Sequence, residues 1–574
     1  IYIHFEDHKP YWYFGEEEIE IGFAIGFYYT QARVIPEWAD AQYYGRLLST
    51  DIMGTRKDDV YFTSQAFPSK NIKISNEDFK FTPFSAGIDA KKKNGNLVRI
   101  LYWIGADALT ALYADFVVNY QGVIEIIEEG PVLGLNLRDI RSSLNKKTPD
   151  RYLDTSQLSY IKDPNKEYIL PQIWGKVSRI PVLCLNENVN KDIDVLPPAS
   201  DTATDYEFLI GDVSTHSLAS DAIKTLYIAD IEINLTLPIV QVDSEQSIAK
   251  FTVPESYFRQ TETDDSGTVT KVKWKLQDKV TIDIHGYLKG SAFREADGNF
   301  TTTPTDLIEN GLSILREILR VSYNYSYTST FFELTSWEAI ETDTDKTYSI
   351  GLYLSKPIEV WKTVQEISKS MLGRFEWNSN LRFDFTSDDY EQLEANITKE
   401  EILPENATFN IKIDARRVLS TFRVGLDRKW AVSDKESSYE WLVDDSNKES
   451  ALNEYSSTYQ EDFLTLINNL TDASKYAVRI LAIGGTSLDI LTIKVPWRYI
   501  TLKAGQWISV QLDHINEILY GVVKAQIQEV NPSMADWSIL LTIRITAYYP
   551  YLTDEEGTLL TDEEGAYLIG EEEV

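Results

Sequence analysis

The feature that most constrains the fold is a set of runs between positions 486 and 546 in which apolar residues recur at every second position. Three runs carry this pattern, and their apolar members are Leu491, Ile493 and Val495, then Ile508, Val510 and Leu512, then Ile539, Leu541, Ile543 and Ile545. Successive side chains of an extended chain point to opposite faces, so each run predicts a strand with one buried face. Several such strands within about sixty residues predict a small β-barrel or sandwich.

Upstream, further strands alternate with a few helices. Val280 to His285 and Arg416 to Gly425 show the same period of two, and Phe375 to Phe385 has the pattern of a hairpin. Apolar residues at helical spacing instead mark four segments, which are 304–320, 357–372, 461–470 and 472–481.

The ends of these helices are predicted from capping residues. Thr303, followed by Pro304, is expected to cap the first helix, and Gly373 is expected to end the second. Thr471 or Asp472 is placed to cap the helix over 472–481.

Length and composition set the domain organisation. A chain of 574 residues is long enough for three to five domains. The 34 Tyr and 13 Trp favour strands, and three Met argue against a helical bundle. The expected fold is mainly β and multidomain, with an α+β middle, small β-barrels or sandwiches and a few short helices. Four domains are expected. Residues 1–290 form a β-rich region with sub-boundaries near 130 and 200, and residues 291–405 form an α+β domain. Residues 406–550 form a helix plus a C-terminal barrel, and residues 551–574 follow it.

The net charge of −34 limits the partners. Nucleic-acid binding and docking on anionic lipid both need a basic surface, so neither is expected. The charge also keeps a protein soluble. No run of 18 apolar residues occurs, so no membrane span is expected.

No residue stands out as catalytic, cofactor-binding or metal-binding. The single cysteine, Cys184, lies in an apolar run and is expected to be a buried thiol. The five histidines form no metal or protease motif, and no phosphate-binding or nucleophile-elbow motif is present. His285 is expected to face outward from a strand, and His514 to follow a strand end. Acid pairs such as Asp444 with Asp445 are expected to be solvated, as are Asp388 and Asp389.

Two aromatic clusters and one repeat have alternative interpretations. Tyr11 to Phe14 and Tyr323 to Tyr327 could stack on sugar rings, but aromatic side chains more often fill strands, cores and interfaces.

The segment Leu552–Gly557 recurs as Leu560–Gly565. It is either a solvated acidic tail or a row of small hairpins, and its spacing does not fit a calcium-binding EF-hand loop.

The order of the last elements resembles that of the final barrel domain of phage tail hub proteins. A helix at 473–481, a strand, the segment Leu502–Trp507 and further strands follow one another as in that domain. The turn and strand at Pro171–Val177 also resemble a segment seen in many siphophage tail proteins. The resemblance extends to the hubs of contractile phages and gene transfer agents.

The resemblance implies a structural role rather than an enzymatic one. It implies a homotrimer in the virion, at the tail tip or baseplate, whose barrels form a ring that caps the tail tube. The implied partners are the tail tube or distal tail protein, the tape-measure protein and a central fibre or receptor-binding protein. DNA would pass through the lumen without specific binding, and no cofactor is implied. The alternative is a β-rich surface protein that binds or depolymerises carbohydrate, for which an exposed aromatic groove with a carboxylate pair is expected.

Overall fold

The structure is a computed structural model of the chain. It describes strands within residues 2–139 and then residues 144–190, 203–233, 238–274, 276, 279–377, 382–387, 393–403, 412–413, 418–485, 489–512, 522–533 and 538–549. The expected hairpin turn at 378–380 and the repeat after Leu552 lie outside these residues. Among the described residues, no helix combines the length and the apolar character needed to cross a membrane.

The N-terminal part forms a nine-stranded sheet in the order β3-β4-β2-β1-β8-β9-β10-β7-β5. Its strands, together with the separate β6, are β1 Tyr2–Glu6, β2 Glu20–Ala24, β3 Arg33–Val34, β4 Ala41–Tyr44, β5 Leu47–Thr50, β6 Thr55–Arg56, β7 Lys70–Ser75, β8 Leu97–Tyr102, β9 Val117–Glu128 and β10 Val132–Asp139. In β10, Leu133, Leu135 and Leu137 are buried and Val132 is exposed. This alternation gives the sheet one buried face at that strand.

Two four-stranded sheets face each other in the next part of the chain. Their orders are β13-β22-β16-β17 and β14-β15-β19-β18. The strands are β13 Lys176–Pro181, β14 Leu183–Cys184, β15 Tyr206–Asp212, β16 Ile223–Ile228, β17 Ile231–Glu232, β18 Gln241–Asp243, β19 Ile248–Val253 and β22 Val280–His285. The chain crosses between the sheets four times, from β13 to β14, from β15 to β16, from β17 to β18 and from β19 to β22, as in sandwiches whose strands turn corners. We call this unit the sandwich.

Shorter elements surround the sandwich. They are β11 Lys147–Thr148, β12 Gln172–Trp174, the hairpin of β20 Arg259–Thr263 and β21 Val269–Trp274, and the 3-10 turns Thr155–Gln157 and Glu255–Phe258. Thr261 to Gly267 is exposed and contains the end of β20 and the hairpin turn.

The helices pack with the sandwich around one continuous core. They are α1 Gly311–Tyr323, α2 Leu334–Glu341, α3 Val360–Ser370 and α6 Leu470–Gly484, whereas the short helices α4 Lys435–Ser438 and α5 Lys448–Tyr455 lie outside this cluster. The strands among them are β23 Leu352–Leu354, β24 Ile358–Glu359, β25 Gly373–Trp377, β26 Phe383–Ser387, β29 Leu419–Leu426, β30 Glu440–Asp444 and β31 Tyr459–Leu464. We call this unit, from Leu144 to Phe385 and from Leu419 to Ile483, the central core.

Pro171 to Lys176 crosses this core in close contact with another backbone segment. Gly175 has a φ of +68°, and a Cβ there would lie 1.8 Å from the carbonyl oxygen of Ile350. A Cβ on Gly351 would lie 2.0 Å from the carbonyl oxygen of Lys176. Only glycine allows the two segments to approach so closely.

The C-terminal part forms a sheet in the order β27-β33-β34-β35-β32-β28, and β6 also pairs with β34. Its strands are β27 Leu393–Ile397, β28 Lys412–Ile413, β32 Asp489–Pro496, β33 Trp507–Gln511, β34 Val522–Ser533 and β35 Ser538–Tyr549, with 3-10 turns at Lys399–Glu401 and Trp497–Tyr499. The predicted face is confirmed, since all ten apolar residues of the three alternating runs are buried.

This sheet and the N-terminal sheet share one core. Ile72, Leu133, Leu135 and Leu137 of the N-terminal sheet belong to the same apolar cluster as Leu541 and its neighbours. The mainly-β, multidomain fold class is therefore confirmed, but no sheet in the described part of the chain closes into a barrel. The expectation of a closed C-terminal barrel is therefore wrong. A second sheet covers the apolar face that closure of a barrel would otherwise bury.

Three of the four predicted helices occur, with shifted starts. α1 begins at Gly311 because Leu307 and Asn310 make β-bridges, and Asn310, not Thr303, caps it. α3 begins after Glu359 because Ile358 and Glu359 pair with β11. Leu372, not Gly373, takes the left-handed conformation after it.

The prediction of a helix at 461–470 is wrong. Residues 459–464 form β31, which pairs in parallel with β29. Long-range pairing outweighs local helical spacing here, because it buries Phe463 against Phe422. α6 is confirmed, but Asn469 caps it rather than Thr471 or Asp472.

Candidate functional site

A cavity of about 740 Å³ opens between the loop 289–310 and helices α1 and α2. Six of its lining residues are acidic: Glu295, Asp297, Asp306, Glu309, Glu338 and Glu341. Lys289 is the one basic residue among the described lining residues. Its ammonium group contacts Glu295 at 2.9 Å, so the cavity keeps an excess of negative charge.

A buried arginine holds one wall of this cavity. Arg316 of α1 is 1% exposed and donates hydrogen bonds to both carboxylate oxygens of Glu341, at 2.7 and 3.1 Å. Its guanidinium also lies over the ring of Tyr327, 4.0 Å from the centroid. Paired in this way, a charge can be buried, and the contact fixes α1 against α2.

The chemistry of the cavity favours cations and disfavours anions. Carboxylates attract ammonium and guanidinium groups and repel phosphates. The lining residues in the described part of the chain include no aromatic side chain on which a sugar ring could stack. The described residues also contain no group of three or more His, Cys, Asp or Glu side chains arranged to hold a metal ion.

A second polar cluster is buried where the sandwich meets α1. The Nε2 of His216 lies 2.9 Å from the carboxylate of Glu317, and the two side chains are 2% and 4% exposed. The Nε of Arg320 donates to the same oxygen at 2.6 Å. The rings of Trp174 and Tyr287 flank the imidazole at 5.0 and 5.2 Å.

The charges in this cluster compensate one another. Burial alone would raise the pKa of Glu317, but the hydrogen bond from His216 and the charges of His216 and Arg320 outweigh it, and the pKa is lowered overall. Glu317 therefore stays ionised at neutral pH inside the protein. Because the cluster is buried, it joins the loop 213–222 to α1 rather than meeting a substrate.

Sequence reasoning missed both features. Glu317 and Arg316 lie among the apolar residues of α1, and a charged residue on an apolar helix face is the signal that could have marked them. His216 lies in a loop between polar residues, and no local pattern distinguishes it.

The residues singled out from the sequence are not brought together. Cys184 is buried, and desolvation raises its pKa to about 12. His285 is partly buried at the end of β22, and desolvation with nearby Lys224 and Lys176 lowers its pKa. Asp444 is the last residue of β30, is partly buried and accepts hydrogen bonds from the backbone N–H and the hydroxyl of Ser446. His514, Asp388, Asp389 and Tyr11–Phe14 lie outside the described residues.

The second aromatic cluster is part of the core. Tyr325 packs against Phe383 at 5.1 Å and Tyr327 against Phe332 at 5.1 Å. Tyr323 stacks on Tyr325 at 5.6 Å. These rings fill the space between α1 and β26 and are not arranged as a sugar-binding surface.

Comparison with known proteins finds similarity only to solved structures. No protein family matches the chain, and no curated protein matches it. A chain of the virion of a native gene transfer agent particle is similar at 9% identity, with a TM-score of 0.41, over 71% of this chain and 91% of that one.

Two prophage tail proteins are similar as well. The 43 kDa tail protein of prophage MuSo2 from Shewanella oneidensis has 9% identity and a TM-score of 0.34, over 88% of this chain and 94% of that one. The prophage tail protein gp18 from Listeria monocytogenes has 11% identity and a TM-score of 0.26, over 66% and 91%. These structures are of the kind that the sequence resemblance named, and at TM-scores below 0.5 they assign the chain to no family.

Proposed function

We propose that this protein is a structural component of the tail of a phage or phage-like particle, located at the tail tip or baseplate. The order of the last elements carries the proposal. Helix α6, strand β32, the turn at Ala504–Gly505 and strands β33 to β35 follow one another as in the final domain of tail hub proteins. The two prophage tail proteins and the chain of the gene transfer agent virion described above are also components of tails or of phage-like particles.

The finer role is that of a hub. Three copies form a ring that caps the tail tube and binds the tube or the distal tail protein on one side. On the other side the ring binds a central fibre or receptor-binding protein. The tape-measure protein and DNA leave through the lumen, and the protein has no catalytic activity, cofactor or metal of its own. The domain boundaries near 290, 405 and 550 belong to this proposal.

Charge supports passage of DNA without binding. Each copy carries a net charge of −34, so a ring of three copies concentrates negative charge around its axis. Acidic residues facing the lumen would repel DNA phosphates and let the duplex slide. A neutral or basic lumen would contradict this part of the proposal.

The first experiment is immunogold electron microscopy of particles from the source culture, with an antibody raised against this chain. Label confined to the tip of a phage-like tail is the expected result. The control is a pre-immune antibody on the same particles. Label on cells, or on free protein with no tails present, would contradict the tail role and favour the carbohydrate-active alternative.

A second experiment tests the ring. Light scattering on the purified chain after size exclusion should give three times the 65.7 kDa mass of one chain. Averaged negative-stain images should show a threefold ring with a central channel. A monomer at high concentration, with no ring in the images, would contradict the hub role while leaving a tail location open to the labelling experiment.

A further inference from the structure

One edge of the sandwich pairs with no further strand among the described residues. β17 ends one four-stranded sheet and β18 ends the other, and the chain passes from β17 to β18 at this side of the sandwich. Within the described residues, each strand pairs on one side only, β17 with β16 and β18 with β19. The other side of each strand therefore presents backbone N–H and C=O groups for a further strand.

This edge exposes large apolar side chains. Ile231 and Ile239 are each 67% exposed and Val242 is 58% exposed, while the neighbouring Val240 is buried in the central core. Natural proteins usually protect a free strand edge with charged residues or a covering element. Exposed isoleucine and valine on such an edge mark an interaction surface.

The same edge carries an excess of negative charge, although Arg179 of β13 contacts Asp230 at 3.4 Å. Between Thr225 and Ala249 the sequence contains four acidic residues, Asp230, Glu232, Asp243 and Glu245, and no Lys or Arg. Asp230 and Glu232 flank Ile231, and Asp243 follows Val242 directly. The carboxylates thus surround the exposed apolar side chains.

We propose that this edge binds an extended strand of another protein, in which apolar residues alternate with Lys or Arg. The partner strand adds to β17 or β18 through backbone hydrogen bonds, and its apolar side chains cover Ile231, Ile239 and Val242. Its basic side chains pair with Glu232, Asp243 and Glu245, since Asp230 already contacts Arg179. The inference does not depend on the tail role.

A second copy of the same edge does not fit. Two copies related by a twofold axis would bring Glu232, Asp243 and Glu245 of one copy against the same residues of the other, around the apolar contact. Like charges juxtaposed at an interface oppose binding. The occupant is therefore a strand of opposite charge.

The test uses the full chain and a fluorescently labelled synthetic peptide of about seven residues that alternates lysine and valine, a length typical of strands. Binding is followed by anisotropy. The wild type should bind this peptide at least about tenfold more tightly than a peptide that alternates glutamate and valine. It should also bind about tenfold more tightly than a lysine–valine peptide N-methylated at alternate positions, which cannot complete the ladder.

Variants then locate the site. Val242→Lys and Ile239→Lys should weaken binding of the lysine–valine peptide about tenfold or more, because each places a positive charge on the edge. The matched control is Val478→Lys, since Val478 is also 67% exposed but lies on α6. It should leave binding unchanged. Melting temperatures of all three variants establish that they are folded.

Three results would overturn the proposal. The first is equal weakening by Val478→Lys and Val242→Lys, which would make the binding nonspecific. The second is equal binding of the glutamate–valine peptide or of the N-methylated peptide by the wild type. The third is loss of self-association in Val242→Lys with no change in peptide binding, which would show that a second copy covers the edge.

Discussion

The Nε2 of His216 donates to the carboxylate of Glu317 across 2.9 Å, although the two residues are 101 positions apart in the chain. Both are buried, and Arg320 holds the carboxylate from the same helix. The contact joins the sandwich to α1, which forms a wall of the acidic cavity. The polar cluster and the cavity therefore depend on the same helix.

Glu317→Gln should destabilise the protein at neutral pH by about 3 kcal/mol, because it leaves His216 and Arg320 without their buried anionic partner. The folded state lowers the pKa of Glu317. Its stabilising contribution is thus complete above the unfolded pKa of about 4.3 and is lost as the pH falls through the lower folded value. Denaturant unfolding of wild type and variant at pH 7 and at stepwise lower pH measures this difference.

Glu338→Gln serves as the control for this substitution. Glu338 lines the cavity but is exposed on α2, so the same chemical change should cost less than about 0.5 kcal/mol. If the two variants lost the same stability at pH 7, the buried cluster would not be a stabilising contact.

Gly175→Ala should be far more damaging than Gly267→Ala. Both glycines have positive φ, +68° and +80°, so both substitutions carry the backbone cost of about 1 kcal/mol. Only at Gly175 would the new Cβ meet a backbone atom, at 1.8 Å from the Ile350 carbonyl oxygen, whereas nothing lies within 4 Å at Gly267. Thermal melting should show a loss of more than about 4 kcal/mol for Gly175→Ala. Similar melting temperatures for the two variants would refute the close approach.

The thiol of Cys184 should be inert in the folded protein. Burial raises its pKa to about 12, so at pH 8 roughly one ten-thousandth of it is thiolate, and the side chain is also shielded from reagents. A disulfide reagent such as DTNB should therefore release no colour from the native protein and one equivalent after unfolding in guanidinium. Rapid reaction of the native protein would show that this part of the sandwich opens readily.

Leu135→Ala in the N-terminal sheet should loosen the C-terminal sheet. Leu135 is fully buried in the apolar cluster that contains Leu541 and Ile543. A buried leucine truncated to alanine costs about 3 kcal/mol, and cooperative opening of the shared core should become about a hundredfold more frequent. Hydrogen exchange measured on peptides covering 538–545 should report the change.

The control for this experiment is Ile126→Ala in the adjacent strand β9, where the side chain is 51% exposed. Exchange at 538–545 should then remain close to that of the wild type. Unchanged exchange in both variants would mean that the two sheets open independently.

Local patterns predicted the C-terminal strands well because each alternating residue there faces one common core. Leu491, Ile508 and Leu541 are all buried as expected. The same patterns failed where backbone pairing between distant segments decides the structure. The start of α1 is set by bridges to Leu288 and Ser349, and β31 is a strand because β29 lies beside it.

The polar features of the central core could not be predicted for a related reason. His216 and Glu317 meet only after the sandwich and α1 have packed, and their separation in sequence leaves no spacing to recognise. The acidic cavity likewise combines a loop with two helices. What the sequence does carry is the placement of Arg316 and Glu317 within an otherwise apolar helix face.

The core shared by β10 and β35 has a consequence for synthesis. A ribosome finishes Leu133, Leu135 and Leu137 long before it reaches Ile539 and Leu541, and it makes the whole central core in between. The apolar face of the early strands therefore stays exposed during synthesis, and it can aggregate with other nascent chains. The late strands cover this apolar face and end its exposure. A chain whose synthesis stops before residue 489 lacks these strands and is prone to aggregate.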